Sequence, residues 1–150
     1  MASLEKEIQQ KSFANEQVKA NLNVLYTANC LYNQITSALK PFQLTHEQFN
    51  VLRILRGSHP KSMNQKDILS RMISHSSNLT LIIKKLKDKK FVTVLQSKKD
   101  KREYIINISK IGLSKLKVVD QFMQLQKENW SRLTESEAFH LNALLDKMRE

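Results

Sequence analysis

Glycine is scarce in this 150-residue chain: there are two, Gly57 and Gly112, alongside two prolines, Pro41 and Pro60, and one cysteine, Cys30. Two glycines cannot build a Gly-rich phosphate loop, a dinucleotide fingerprint or a nucleophile elbow, which excludes those enzyme classes. So few chain breakers suit long helices joined by short turns. One cysteine excludes an internal disulfide framework and a cysteine-rich zinc site. The four histidines, His46, His59, His75 and His140, show no i,i+4 pairing, so neither a metal nor a cofactor is expected. No apolar run approaches the roughly 18 residues a membrane span needs, and Met1 to Gln10 lack the apolar block of a signal peptide. A soluble, cytoplasmic chain forming one domain over 1–150 is the expectation.

The charge is uneven. The net value is +11, and nearly all of it lies between His59 and Arg102, where twelve Lys/Arg stand against three Asp/Glu. The segment before it carries +2 and the segment after it is neutral. Lys84, Lys85, Lys87, Lys89, Lys90, Lys98, Lys99, Lys101 and Arg102 are opposed only by Asp88 and Asp100. A localised basic patch of this kind is the footprint of a polyanion-binding surface. A solvated lysine-rich face would carry the same charge. A membrane-binding helix would continue as an amphipathic basic helix, whereas this run passes into a strand pattern.

Hydrophobic spacing predicts the elements. Leu4 to Lys40 reads as one long helix or two abutting ones, stopped by Pro41. Two apolar faces run along it, one through Val18, Leu22, Leu25, Tyr32 and Leu39, the other through Val24, Ala28, Leu31, Ile35 and Ala38. Burial on two sides suggests a second subunit. Thr45 and Gln48 have capping-box spacing at the start of a helix that buries Phe49, Leu52 and Leu55 and stops at Gly57. A loop from Ser58 to Met63 leads to a short helix capped by Asn64, with Ile68, Leu69 and Met72 inward. Ser74 to Asn78 reads as a turn opening another helix, with Leu79, Ile82, Ile83 and Leu86 buried. Phe91–Gln96 and Tyr104–Ile108 are β-branched and aromatic, hence paired strands around a basic loop. Ser109 caps a long helix carrying Leu113, Leu116, Val119, Met123 and Trp130. Thr134 and Glu137 form a second capping box, before a last stripe of Leu141, Leu144, Leu145 and Met148.

Helix, short helix, helix with a polar N-terminal end, then a hairpin is the order of a winged helix-turn-helix. The fold expected is mainly α with a small β-hairpin wing and long N- and C-terminal dimerisation helices, about 4–40 and 109–150, around a DNA-binding lobe at about 45–108. In such a fold the recognition helix, here about Ser76 to Lys89, puts its N-terminal residues at base edges. Ser76, Ser77, Asn78 and Thr80 are short donors and acceptors suited to that task. Lys84 and Lys85 suit phosphates, as do Lys98, Lys99 and Lys101 in the wing. An N-cap region would be filled by the same Ser/Asn cluster.

At this point the sequence resembles the multiple-antibiotic-resistance regulator (MarR) family of bacterial winged-helix transcription factors. The resemblance runs from about Leu25 to the C-terminus. It rests on Leu44-Thr45-His46-Glu47-Gln48-Phe49-Asn50-Val51-Leu52, on Asp100-Lys101-Arg102 at the wing, and on Ile106-Asn107-Ile108-Ser109-Lys110-Ile111-Gly112. The family's wing arginine enters the minor groove and its aspartate holds the arginine, roles that the match carries onto Arg102 and Asp100. The family has glycine before the first wing strand, where this chain has Lys90, and commonly a basic residue where it has Val94. The resemblance implies a homodimeric, sequence-specific DNA-binding regulator rather than an enzyme. It further implies a repressor acting on a pseudo-palindromic operator of double-stranded DNA and relieved by a small aromatic or anionic effector.

Two other readings stay open. A winged-helix protein-interaction module would not need the basic middle third. One branch of the family senses organic peroxides through a lone cysteine in the first helix, and Tyr26 lies one turn before Cys30. Such a thiol needs exposure and a lowered pKa, and Cys30 has no Lys, Arg or His near it in sequence, so a buried, inert cysteine is the expectation.

Overall fold

The computed structural model describes residues 3–73, 78–97, 100–125 and 132–150. A short helix α1 (Leu4–Glu7) precedes the long helix α2 (Glu16–Leu39). Contrary to the spacing, the two do not abut: residues 8–15 are not helical. Gln9 takes a left-handed φ of 55°, and extended Asn15 caps α2 by accepting a hydrogen bond from the Val18 N–H at 2.8 Å. The cap starts a new helix rather than continuing the old one. The Tyr26 hydroxyl donates to Glu7 at 2.8 Å and Lys19 pairs with Glu5 at 2.6 Å, which ties α1 to α2.

A 3₁₀ turn (Lys40–Phe42) holding Pro41 follows α2. Helix α3 (His46–Ser58) opens with the expected capping box, in which the Thr45 hydroxyl accepts from the Gln48 N–H and the Gln48 carboxamide accepts from the Thr45 N–H. Gly57 is not the stop: it lies inside the last turn, and His59 is the C-cap.

The expected Ser58–Met63 loop ends in a short strand that the spacing did not indicate. Strand β1 (Met63–Asn64) pairs with β3 (Tyr104–Ile108), and β3 pairs with β2 (Val92–Gln96). The sheet is antiparallel in the order β1-β3-β2, so β3 is central. Ile106 stands opposite both Met63 and Val94, and it is fully buried. Two residues are too few to show a period of two, which is why β1 was illegible.

Asn64 caps α4 (Gln65–Leu69) by accepting from the Asp67 N–H at 2.8 Å. Ile68 and Met72 point inward as expected, but Leu69 is exposed. Helix α5 (Leu79–Asp88) buries Leu79, Ile83 and Leu86, with Ile82 half-buried. Helix α6 (Lys110–Leu125) buries Gly112, Leu116 and Val119. Together with α3, α4 and the sheet these elements enclose one core around Val51, Leu52, Leu55, Leu86, Ile106 and Leu116. Helix α7 (Glu135–Lys147) opens with the Thr134–Glu137 capping box and has no buried residue. Trp130 lies outside the described residues.

Among the described residues of α2, only Leu39 is buried, and Val18, Leu25, Leu31 and Tyr32 are exposed. Cys30 is exposed too, which corrects the expectation of a buried thiol. Among the described residues, the turns of α2 around Ala28 to Tyr32 are left bare.

Candidate nucleic-acid interface

The helix-turn-helix is built from α4 and α5. Asn78 is the N-cap of α5, its side chain accepting from the Leu81 N–H at 3.3 Å. The described helix begins at Leu79, with Asn78 as its cap. Thr80 donates its hydroxyl to Gln65 at the first turn of α4, across 3.5 Å, so the N-terminal ends of the two helices meet. Ser76 and Ser77 lie outside the described residues. Lys84, Lys85 and Lys87 are exposed on α5, on the sides away from its buried stripe.

Lys89 behaves differently from its neighbours. It is half-buried, and its ammonium donates to the Gln43 carbonyl and, at 3.2 Å, to the buried Gln48 carboxamide. Burial, with Lys115 and Lys85 nearby, pulls its pKa below the usual lysine value. The end of α5 is thereby fastened to the start of α3, and Lys89 leaves the outward basic set in which the sequence placed it.

Past Lys89 the chain turns sharply. Lys90 adopts φ 61°, the left-handed region that glycine enters freely. The Phe91 N–H donates to the Leu86 carbonyl and the Lys90 N–H to that of Lys87, at 2.9 and 2.8 Å. This is a Schellman ending with lysine in the glycine position. The turn geometry is thus kept where the family pattern has glycine.

The wing is the β2–β3 hairpin. At its tip the Ser97 hydroxyl accepts from the Asp100 N–H at 3.3 Å, the Asp100 carboxylate accepts from the Arg102 backbone N–H at 2.8 Å, and the Ser97 N–H donates to Glu103 at 2.8 Å. Gln96 donates to the Lys101 carbonyl at 2.6 Å. Asp100 therefore holds Arg102 by its backbone N–H and shapes the wing tip. Lys101 and Arg102 are exposed; Lys98 and Lys99 lie outside the described residues. Val94 is half-buried and faces Ile106 across the strands.

Residues 44–104, the segment that holds the helix-turn-helix and most of the hairpin, match the model of the MarR family. That segment is similar to a MarR-family domain. Among solved structures, a MarR-like protein from Bacillus cereus is 24% identical, with a TM-score of 0.78 over 89% of this chain and 96% of its own. A cysteine-to-serine mutant of MarR from E. coli, solved with operator DNA, is 21% identical, with a TM-score of 0.78 over 92% of this chain and 99% of its own. BpsR from Bordetella bronchiseptica, whose DNA binding is regulated by 6-hydroxynicotinic acid, is 20% identical, with a TM-score of 0.68 over 85% of this chain and 99% of its own. Among curated proteins, no sequence matches. The winged-helix fold of MarR-family regulators thus extends over both terminal helices.

Two concave surfaces bring segments distant in the sequence face to face, one of them between apolar stripes that the spacing marks on separate helices. A cavity of about 430 Å³ between α2, α3 and α6 is lined by Ile35, Phe49, Ile73 and Met123 together with His46, Arg53, Arg56 and Asp120. Arg56 is ion-paired to Asp120 across it. An apolar groove of about 750 Å³ runs between α2 and α7, with Val24, Ala28 and Leu31 on one wall and Leu141, Leu144, Leu145 and Met148 on the other. Among the described residues no three His, Cys, Asp or Glu side chains group as a metal site, and no helix is long and apolar enough to cross a membrane.

Proposed function

We propose that the protein is a homodimeric, sequence-specific DNA-binding transcriptional regulator, a repressor whose hold on DNA is relieved by a small-molecule effector. The observation that carries this reading is the pairing of a helix-turn-helix, its α5 lined outwardly by Lys84, Lys85 and Lys87, with an exposed basic wing tip at Lys101 and Arg102. Helix α5 enters the major groove by its N-terminal end, and the wing arginine enters the neighbouring minor groove, whose negative potential suits a guanidinium. The lobe at about 45–108 binds DNA, and the helices at about 4–40 and 109–150 hold two copies together. The bare apolar walls of the α2–α7 groove support that pairing, because exposed patches of this extent are rare on soluble monomers. The cavity beside Arg53 and Arg56 has the chemistry for a small aromatic anion, the class of 6-hydroxynicotinic acid. Being wedged between the dimerisation helices and the DNA-binding lobe, such a ligand would change the spacing of the two heads.

Selection of bound duplexes from a random pool tests this. The expected product is a pseudo-palindrome with half-sites about one helical turn apart, bound by a species of twice the 17.5 kDa chain mass. No enrichment at low salt, or a monomer at micromolar concentration, refutes it.

A further inference from the structure

We propose that Leu81 reads the methyl group of a thymine in the major groove, and so fixes one base pair of each half-site. The inference rests on the DNA-binding reading above. Three residues make the first turn of α5 after the Asn78 cap: Leu79, Thr80 and Leu81. Leu79 is buried in the core. The Thr80 hydroxyl is donated to Gln65, and the Asn78 carboxamide oxygen is taken by the Leu81 N–H. Leu81 itself is 41% exposed. At 100° per residue it points roughly 150° from the mean direction of the buried stripe. It shares that outer side with Lys84 and Asp88, both exposed.

An isobutyl group therefore stands at the groove-entering end of the helix, amid charged side chains. It neither donates nor accepts a hydrogen bond, so against the polar edge of guanine or cytosine it would leave base groups stripped of water and unpaired. Thymine alone among the bases presents an apolar group in the major groove, its 5-methyl. Lys84, Lys85 and Lys87 supply the complementary charge for the phosphates on either side, which holds the helix end against the base edges.

The test uses the intact protein and a duplex selected from a random pool. Each thymine of a half-site is replaced in turn by deoxyuridine, which removes only the methyl. One position per half-site is expected to weaken wild-type binding about fourfold, what burying one methyl group is worth. Leu81→Ala should bind the thymine and uracil duplexes equally, and Leu81→Met should regain the preference. Indifference to uracil at every position, a selected half-site without thymine, or an unchanged thymine-to-uracil ratio in Leu81→Ala overturns the role of Leu81 alone. Failure to select any duplex overturns the DNA-binding reading with it.

Discussion

The carbonyl oxygen of Phe91 occupies the space in which a side chain on residue 112 would begin: a Cβ built on Gly112 would lie 2.3 Å from it. Ser109 closes the same junction. Its N–H donates to that Phe91 oxygen at 2.9 Å, its hydroxyl donates to the Lys90 carbonyl at 2.7 Å, and the hydroxyl in turn accepts from the Gly112 N–H at 3.0 Å. The Ser-x-x-Gly pattern after the wing is thus a clasp. It holds the turn that leaves α5 against the first turn of α6, and so sets where the wing stands relative to the recognition helix.

Gly112→Ala is expected to destabilise the protein. In an unconstrained helix the change would stabilise by about 1 kcal/mol. Here the backbone of Phe91 must move instead, and overpacking of this kind costs about 1–3 kcal/mol. Urea unfolding at fixed protein concentration checks it, and a gain in stability would show the contact to be soft.

Lys90→Gly should act the other way. A lysine held at φ 61° sits in a region that costs L-residues about 1–2 kcal/mol, part of which glycine gives back as unfolded-chain entropy. The expected net gain is about 0.5–1 kcal/mol, read as a raised midpoint in the same urea titration with an unchanged slope. A lower midpoint would mean that the Lys90 side chain makes a compensating contact.

The parts of this molecule legible in its sequence are those written in periods and caps. Thr45 with Gln48, Asn64, and Thr134 with Glu137 open helices as their spacing requires. The alternation around Ile106 and Ile108 marks the central strand. What stayed illegible depends on contacts between distant segments. Lys89 reads as one more surface charge until α3 places Gln48 beside it. Cys30 reads as core because its apolar neighbours do, yet no element of the described chain buries the turns around it. The cavity that joins Arg53 and Arg56 to Asp120 needs α3 and α6 side by side, residues more than sixty positions apart in the chain. The first turn of α5 could be located from its Ser/Asn run, but not which of its polar atoms the protein itself uses.

Arg102→Ala is expected to lower operator affinity without changing the melting temperature, because Arg102 is exposed at the wing tip. A loss of about tenfold is the expected scale for one specific contact. Asp100→Ala should lower affinity less, by loosening the tip, since its carboxylate holds the Arg102 backbone N–H. Gel shifts paired with thermal melts decide; lower melting with unchanged affinity would make Arg102 a structural residue.

Tyr32 and Glu47 tie α2 to the start of α3, the hydroxyl donating to the carboxylate at 2.9 Å. Burial alone would raise the Glu47 pKa, but hydrogen bonds from its own backbone N–H, Tyr32 and Thr45, with His46 adjacent, bring it below its ordinary value. A carboxylate so depressed stabilises the fold above its unfolded pKa, and the contribution is lost as pH falls through the folded value. Tyr32→Phe should therefore cost about 0.5 kcal/mol at neutral pH, the pair being partly solvated. The gap from wild type should narrow as pH drops below 4.5. Melts across that range check it, and a gap that widens in acid would reverse the sign.

The two functions assigned to α5 can be separated by salt. Lys84 and Lys85 are flexible exposed charges that suit phosphate, and phosphate carries no base sequence. Replacing both by Ala should weaken operator and scrambled duplex together. The slope of log K against log salt should flatten by roughly 0.9 for each phosphate that the variant no longer neutralises, counted over both subunits. Asn78 is uncharged, so its replacement should leave that slope alone. Because it also caps α5, Asn78→Ala carries a stability cost of about 1 kcal/mol unrelated to DNA. Asn78→Ser keeps a capping oxygen and alters only what the helix end offers a base. Asn78→Ser should therefore melt close to wild type yet lower the ratio of operator to scrambled affinity. If Asn78→Ser instead weakens both duplexes equally, Asn78 serves the helix and reads no base.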